Sequence, residues 1–219
     1  LARRSNGEPV AYLTGSREFW SMPFRVKPGV LIPRHETALL VETALRLIPL
    51  EQACRVADLG TGSGAVAIAV ASERPLCEVH ATEIDPAALA VARENGERLA
   101  PGRVRFHEGS WFEPLEGRFH LVLSNPPYID AGDPHLGQGD CAFEPRAALS
   151  PGEDGMAAIR HIAQNAPNYL EAGGCLAFEH GCAQGPLARE RLKELAYVNV
   201  KTLKDLEGRD RVTLGFITH

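Results

Sequence analysis

No stretch of this sequence is apolar for long enough to cross a membrane. The longest uninterrupted apolar run extends from Ala65 to Ala71, far short of the roughly 20 residues that a membrane-spanning helix needs. No signal-peptide pattern opens the chain either. These absences predict a soluble, cytoplasmic protein with no membrane partner.

The sequence also has fewer basic residues than acidic ones. The chain has 23 Lys and Arg against 28 Asp and Glu, a formal net charge of −5, and no segment concentrates its basic residues. A protein that binds duplex nucleic acid is expected to carry a basic track that neutralises phosphates. The acidic balance therefore argues against nucleic acid as a stable partner.

Cysteine is poorly arranged for cross-linking or metal binding. The five cysteines are odd in number and contain no C-x-x-C pair, and none is matched with one of the eight histidines at metal-ligand spacing. They are Cys54, Cys77, Cys141, Cys175 and Cys182. The pattern predicts reduced thiols and no metal site.

What the sequence does contain is an alternation of strand-like and helix-like segments, in a chain long enough for one α/β domain. The predicted strands are 55–59, 78–82, 104–107, 119–123 and 175–179, and the predicted helices are 39–47, 65–72, 86–99, 156–170 and 187–196. A short hairpin is predicted over 17–26 and a closing antiparallel pair over 197–203 and 211–217. The polar residues 1–16 predict a loop, and the unpatterned segment 129–154 predicts a lid that faces the substrate.

The most informative stretch is Asn125-Pro126-Pro127-Tyr128, which we call the proline corner. It follows a buried strand, and ligands bind at the carboxyl ends of strands in open α/β sheets. The two prolines fix two φ angles and remove two N–H donors, which leaves carbonyl acceptors. Asn125 adds a side-chain oxygen and Tyr128 an aromatic wall. We expect the corner to bind a flat group that carries an NH2, such as a carboxamide or the amine of a base.

A second motif lies upstream, at the end of the first strand. Gly60-Thr61-Gly62-Ser63-Gly64 allows positive φ angles and close approach of a ligand to the backbone, next to the free N–H groups of a helix start. Glu83 ends the following strand roughly 20 residues later, where a ribose diol is bound. The spacing differs from G-x-G-x-x-G and lacks a Lys-Ser/Thr pair. A nucleoside without phosphates is therefore favoured, and S-adenosylmethionine in particular.

Other positions admit two interpretations each. Glu36 and Thr37 start a predicted helix, where they serve either as helix-capping residues or as a wall of the cofactor pocket. Trp111 follows the third strand and either stacks on adenine or belongs to the core. Glu179 and His180 end the fifth strand near the expected site, and structural and catalytic roles are both open.

With these residues assembled, the chain resembles class I S-adenosylmethionine-dependent methyltransferases. It resembles more closely the PrmC/HemK family, which methylates the glutamine of the Gly-Gly-Gln motif in bacterial peptide-chain release factors. The shared motifs cover nearly the whole chain: residues 7–9 leading to Trp20, 31–34, 36–37, 58–64, 111–112, 125–128, 143–146, 179–181 and 208–210. Asn-Pro-Pro-Tyr alone is shared with methyltransferases that act on adenine, so the combination carries the specificity.

The resemblance implies a fold and a division of the chain. The fold is Rossmann-like, with a seven-stranded, mostly parallel sheet, an antiparallel closing strand and an N-terminal β-hairpin. Residues 1–33 would be a linker and the hairpin, following an N-terminal helical domain that this chain lacks, and residues 34–219 would be the catalytic domain. The missing domain would help to hold the release factor.

The resemblance also implies the roles of individual residues. Those expected to bind the cofactor are Gly60, Thr61, Gly62, Ser63 and Gly64 for its methionine part, Glu83 for its ribose and Trp111 for its adenine. Asn125 would contact both cofactor and substrate, and Pro126, Pro127 and Tyr128 would complete the glutamine site. Ser110 stands where relatives often have Asp, and His35 and His120 also depart from the family pattern.

The expected activity is methyl transfer to a glutamine side-chain nitrogen, with Asn125 and Pro126 as the catalytic groups and S-adenosyl-L-homocysteine as the second product. Two alternatives remain open. One is methylation of an adenine or another base amine. The other is a translation-associated binding protein that keeps the cofactor pocket without turnover.

Overall fold

The computed structural model describes residues 2–152 and 154–218 and contains two β-sheets. The small one is a hairpin of β1 (Ser16–Phe19) and β2 (Met22–Arg25). The strands of the large one are β3 (Arg55–Leu59), β4 (Glu78–Glu83), β5 (Val104–Glu108), β6 (Phe119–Ser124), β7 (Leu170–Glu179), β8 (Val198–Lys204) and β9 (Asp210–Phe216). The predicted α/β fold, with seven strands and a hairpin, is confirmed.

Helices connect these strands. The α-helices are α1 (Ala2–Ser5), α2 (Val10–Thr14), α3 (Ala38–Leu47), α4 (Ala65–Glu73), α5 (Pro86–Leu99), α6 (Arg146–Leu149), α7 (Ala157–Asn165) and α8 (Gly185–Glu194). The start of α5 shows why the sequence folds this way. The Asp85 carboxylate accepts from the N–H groups of Ala87 and Ala88, and Pro86 needs no partner at the first helical position.

The strand order of the large sheet places a binding crevice near its middle. The order is β5-β4-β3-β6-β7-β9-β8. Strands β5, β4, β3, β6 and β7 run parallel to one another, and β9 runs antiparallel to β7 and β8. The chain moves outward from β3 to β5 and then returns to the other side of β3 as β6. Ligands of doubly wound folds bind beyond the strand ends at such a reversal.

Apolar side chains cover both faces of the central strands. Val56 and Leu121 belong to the core that packs with α3 and α4, whereas Ala57 and Val122 belong to the core that packs with α7 and α8. Successive side chains of a strand point to opposite faces, so strands covered on both faces have continuous apolar sequences. The helix that follows the glycine turn, α4, is itself buried from Ala65 to Ala71. The buried strand β3 before the glycine turn and the buried helix α4 after it therefore fix the position of this turn.

Asn95 on α5 attaches the hairpin to the main domain. Its side chain accepts a hydrogen bond from the Arg25 N–H at 2.8 Å and donates to the carbonyls of Arg25 at 3.0 Å and Ser63 at 2.9 Å. The hairpin turns at Trp20 and Ser21, which both have positive φ, as a two-residue type I′ turn requires. One buried carboxamide thus joins the small sheet to the glycine turn.

Several predicted boundaries are wrong, and three of them have a clear physical reason. Residues 1–16, predicted as loop, contain the helices α1 and α2, which are too short to show a helical period. The helix predicted over 156–170 ends at Asn165 because Pro167 has no N–H with which to extend it. Strand β7 begins at Leu170 rather than at 175, and it includes Gly173, whose φ is +76°.

Candidate active site

The parallel strands end at one edge of the sheet and bring the predicted residues together. Strand β3 pairs in register with β4 on one side and β6 on the other. Directly after their last paired positions come Gly60, Glu83 and Asn125. On the far side of β6, Glu179 ends the neighbouring strand β7. Residues far apart in sequence therefore form one continuous rim.

A cavity of about 200 Å³, which we call the glycine-turn cavity, opens at this rim. The predicted site residues on its wall are Gly60, Gly62, Glu83, Trp111, Asn125 and Pro127. Thr61 and Ser63 line a smaller adjoining cavity of about 40 Å³. Gly64 caps α4 with a φ of +85°, and in the part of the chain that the structure describes it is on neither wall. Its position supports the turn rather than a ligand contact.

The Glu83 carboxylate is held by the backbone of the glycine turn. One oxygen accepts from the Gly62 N–H at 2.8 Å and the other from the Asp85 N–H at 3.0 Å. Gly62 has a φ of +58°, and a Cβ at this position would meet no atom within 4 Å. A side chain there would project into open space beside Glu83. The turn thus presents bare backbone and a fixed carboxylate to the same space.

Asp58 supports the turn from below. It is buried, accepts from the Thr61 hydroxyl at 2.6 Å and also accepts from the Ala67 N–H at 3.2 Å. Burial raises the pKa of this carboxyl to about 6, with Glu83 adding to the rise while the two hydrogen bonds oppose it. The side chain that shapes the turn is therefore sensitive to pH.

Trp111 lies on the wall of the glycine-turn cavity and also packs against the core. Its ring lines the glycine-turn cavity and lies so close to Gly60 that a Cβ on this glycine would be 3.2 Å from the ring. The ring also packs against the core on the α7 side, with the His161 ring centroid 6.5 Å away. Its φ of 47° is uncommon for a bulky residue. The backbone is thus held in a conformation that turns the indole toward the glycine turn.

The proline corner forms its own cavity of about 100 Å³, the proline-corner cavity. Its walls include all four corner residues, Asn125, Pro126, Pro127 and Tyr128, together with Glu179. Asn125 lines this cavity, the glycine-turn cavity and the small one between them. Its side chain therefore stands at the junction of the three cavities.

Thr37 fixes the Asn125 side chain from the start of α3. The Asn125 amide nitrogen donates to the Thr37 hydroxyl at 3.2 Å, and Thr37 makes no capping hydrogen bond with its side chain. Of the two interpretations of Thr37, its place in the wall of the site fits the structure. Glu36 instead faces a groove between α3 and the β8–β9 turn, 3.9 Å from Arg209.

Glu179 lies behind the proline corner. The Tyr128 hydroxyl donates to one of its oxygens at 3.1 Å. Burial raises the pKa of Glu179, against the effects of Thr37, Arg211 and Tyr128. The adjacent His180 is fully buried, and its ring nitrogens are 2.8 Å from the Gly181 carbonyl and the Thr213 hydroxyl. These contacts agree with a structural role for His180.

An ion pair ties the segment 129–154 to the rim. The buried Glu144 carboxylate accepts from the Ile32 N–H at 2.9 Å and pairs with the Arg34 guanidinium. Short helical turns, including α6, replace the loop expected in this segment, and Pro145 and Ala148 lie on the wall of the glycine-turn cavity. Residues 145–148 of this segment cover one side of the site, and Glu144 holds them there.

Known proteins resemble this chain along its whole length. Residues 35–138 match the family model of the methyltransferase small domain. The release factor glutamine methyltransferase of Salmonella typhimurium is 51% identical over 219 residues, which are 100% of this chain and 79% of that protein. The Escherichia coli protein of the same name is 49% identical over 98% of this chain and 78% of its own length.

The chain belongs to the release factor glutamine methyltransferase family. This membership confirms the resemblance that the motifs indicated. The methyltransferase of Pyrococcus furiosus has a similar fold, with a TM-score of 0.69 at 21% identity over 100% of this chain and 98% of that one. The Thermus thermophilus 16S rRNA N2 G1207 methyltransferase, solved with AdoMet and guanosine, has a TM-score of 0.67 at 22% identity over 92% of this chain and 49% of that one.

Members of this methyltransferase family need room for S-adenosylmethionine, and the glycine-turn cavity fits it. The bare backbone at Gly62 leaves open the space into which a side chain would project, and the fixed Glu83 carboxylate retains lone pairs for ribose hydroxyls. Trp111 offers an aromatic face. The cavity thus provides the three kinds of contact that this cofactor requires.

Among the wall residues of this cavity that sequence reasoning missed, the large apolar ones are Ile84 and Leu31. Ile84 is 67% exposed although it is large and apolar. It directly follows the strand-end acid Glu83, and a large apolar residue placed just beyond a buried strand was the available signal. Leu31 gave no comparable signal because its segment has no helical or strand period.

Proposed function

We propose that this protein transfers a methyl group from S-adenosyl-L-methionine to the side-chain amide nitrogen of the glutamine in the Gly-Gly-Gln motif of bacterial peptide-chain release factors. The observation that carries the proposal is Asn125, a carboxamide at the junction of the cavities, in a chain 51% identical to a release factor glutamine methyltransferase over its full length. S-adenosyl-L-homocysteine is the second product.

The glycine-turn cavity would hold the cofactor. Gly60 and Gly62 offer their backbone to its methionine part, with Thr61, Ser63 and Gly64 shaping the turn, while Glu83 accepts from the ribose hydroxyls and Trp111 covers the adenine. The bound cofactor supplies a methyl group activated by a sulfonium. Asn125 borders both halves of the site and would contact cofactor and substrate alike.

The proline corner would hold the substrate carboxamide. An amide nitrogen is a poor nucleophile because its lone pair is delocalised into the carbonyl. The Asn125 side-chain oxygen and the Pro126 carbonyl can accept its two N–H bonds, which favours positive charge developing on this nitrogen. Pro127 and Tyr128 form the walls that keep the amide plane fixed.

Orientation is the main catalytic contribution in this proposal. Positioning two reactants contributes about 7–11 kcal/mol, whereas general base catalysis typically gives about 10²–10⁴-fold in rate. No obligatory base is therefore assigned. The proton leaves to water after the transfer, when the methylated amide is strongly acidic.

The proposed setting of the enzyme follows from its substrate. Release factors are the protein partners, and neither nucleic acid nor membrane is a stable partner, in agreement with the net charge of −5. No helix in residues 2–152 and 154–218 is both long and apolar enough to traverse a bilayer. We place the reaction in the cytoplasm, with 34–219 as the catalytic domain and 1–33 as linker and hairpin.

A methyl-transfer assay tests the proposal. The enzyme is incubated with labelled S-adenosylmethionine and either a release factor or the same factor with its Gly-Gly-Gln glutamine changed to alanine. We expect label in the first factor and none in the second. Labelling of adenine in DNA or RNA instead would establish the base-amine alternative, and cofactor binding without any transfer would establish the non-catalytic one.

A further inference from the structure

A carboxamide has two ends of the same shape, and its hydrogen-bond partners decide which end faces a ligand. Asn125 serves the proposed reaction only if its oxygen, rather than its NH2, faces the substrate. The other end must therefore be bound to an acceptor. The structure provides that acceptor in the Thr37 hydroxyl, 3.2 Å from the Asn125 amide nitrogen.

A hydroxyl, however, can donate as well as accept. The Thr37 hydroxyl presents a lone pair to Asn125 only if its proton points elsewhere. Thr37 is 5% exposed, so bulk water does not supply that acceptor. Hydrogen bonding by the Thr37 hydroxyl lowers the pKa of Glu179, against the larger effect of burial. Within the described residues, one oxygen of Glu179 accepts from Tyr128 while the other, Oε2, is buried and has no partner at full hydrogen-bond geometry.

We propose that the Glu179 carboxylate, acting through the Thr37 hydroxyl, sets which end of the Asn125 carboxamide faces the substrate. The inference rests on the function proposed above, because it assigns Asn125 the role of acceptor. An ionised carboxylate only accepts hydrogen bonds. Thr37 therefore donates to Glu179, Asn125 donates to Thr37, and the Asn125 oxygen is left for the substrate amide. Glu179 is thus a positioning residue.

Protonation of Glu179 reverses this chain of donors. A neutral carboxyl can donate to Thr37, whose hydroxyl then donates toward Asn125 and turns the amide oxygen away from the substrate. The charged or titratable groups that act on Glu179 are Tyr128 at the proline corner, Arg211 on β9 and Glu36 before α3. Burial raises the pKa of Glu179, so the reversal lies above the ordinary titration range of a glutamate and activity falls on the acid side.

The decisive experiment observes Asn125 directly. The side-chain amide signals of Asn125 are identified in a ¹H–¹⁵N NMR spectrum by their loss in Asn125→Ala, and are then followed as the pH is lowered. We expect them to titrate with Glu179 in the natural protein and in Thr37→Ser, which keeps the hydroxyl. In Thr37→Val and Glu179→Gln the titration should disappear. An unchanged titration in Thr37→Val would overturn the proposal.

Kinetics give a second readout. In Glu179→Gln, kcat should fall about 10²-fold, the size expected when one aligned polar contact to the reacting group is lost, while the Kd for S-adenosylmethionine changes less than threefold. The acid limb of the kcat/KM profile should persist in Thr37→Ser and vanish in Thr37→Val. A purely structural Glu179 would instead lower thermal stability and cofactor binding together and leave the acid limb intact.

The two readouts separate this inference from the proposed function. A protein that shows the Asn125 titration but methylates no release factor has the hydrogen-bond chain without the proposed activity. A protein that methylates its release factor while the Asn125 amide signals do not titrate with Glu179 has the activity without the hydrogen-bond chain. If Glu179→Gln fails to fold, the Thr37→Ser and Thr37→Val pair decides alone.

Discussion

The two halves of the site are held together in different ways. The half that we propose binds the cofactor contains hydrogen bonds between close neighbours at the first two strand ends, such as the Thr61 hydroxyl to Asp58 and the Asp85 N–H to Glu83. The half proposed to bind the substrate depends on side chains that meet from distant segments. Asn125 contacts Thr37 across 88 positions of sequence, and Tyr128 contacts Glu179 across 51.

Because of this difference, substitutions in the two halves should have different effects. Backbone and glycine geometry give the proposed cofactor half its shape. A substitution there is expected to change the volume of the cavity more than the hydrogen bonds around it. In the substrate half, each buried polar side chain is oriented by another, and removing one leaves its partner unsatisfied in the interior. We therefore expect larger losses of turnover from the substrate half and smaller, separable losses of affinity from the cofactor half.

The largest effect is expected at Asn125. In Asn125→Ala, the loss of the acceptor at the reacting nitrogen should lower kcat by at least about 10²–10³-fold, while cofactor affinity is reduced but still measurable. Single-turnover methyl transfer and calorimetric titration of the cofactor measure the two quantities. Asn168→Ala on the exposed surface is the matched control. Near-normal turnover in Asn125→Ala would contradict the role of this side chain.

The next largest effect concerns the ion pair that fixes the segment 129–154. Glu144→Gln leaves the Arg34 guanidinium without its buried partner, which should lower the free energy of unfolding by about 3 kcal/mol. Urea unfolding measures this loss. KM for the release factor should rise as well, because the segment is released from the rim. Glu42→Gln removes an exposed pair with Arg46 and should change neither quantity. Equal stability of the two variants would show that Glu144 is not the attachment point.

A smaller effect is expected from the titration of Asp58. Its folded pKa of about 6 exceeds the ordinary value of 3.8, so the neutral form is more favoured in the folded state than in the unfolded chain. Its contribution to stability is fully present below about pH 4 and is lost as the pH rises through 6. The difference in unfolding free energy between the natural protein and Asp58→Asn should therefore grow as the pH falls from 6 to 4. A difference that does not vary over this range would rule out the raised pKa.

The smallest effect is expected at Gly62. In Gly62→Ala, the methyl group enters open space, so stability should fall by only about 1–2 kcal/mol, the cost of a left-handed conformation. Cofactor affinity should fall about tenfold, equivalent to 1.4 kcal/mol, because the methyl group occupies the cavity beside Glu83. Gly102→Ala introduces the same strain in an exposed turn and serves as control. If both variants bind the cofactor equally well, the backbone of Gly62 does not border it.

The same contrast explains what could be predicted from the sequence. The glycine turn and Glu83 could be identified because strand, turn and acid occupy short, patterned segments. The partners of the proline corner could not, since no local pattern pairs Thr37 with Asn125 or Tyr128 with Glu179 over such separations. Glu144 lies in an unpatterned segment, and its attachment to Ile32 becomes visible only once the chain is folded.

Asn95 has a mechanical consequence for the whole N-terminal part of the molecule. Its carboxamide substitutes for the missing neighbour of an edge strand in the hairpin and grips the Ser63 carbonyl with the same nitrogen. A displacement of the hairpin is therefore expected to be transmitted to the glycine turn through Asn95. A partner that binds the hairpin would therefore reach the proposed cofactor site through the Asn95 carboxamide, alongside other hairpin contacts such as Trp20 to Glu73.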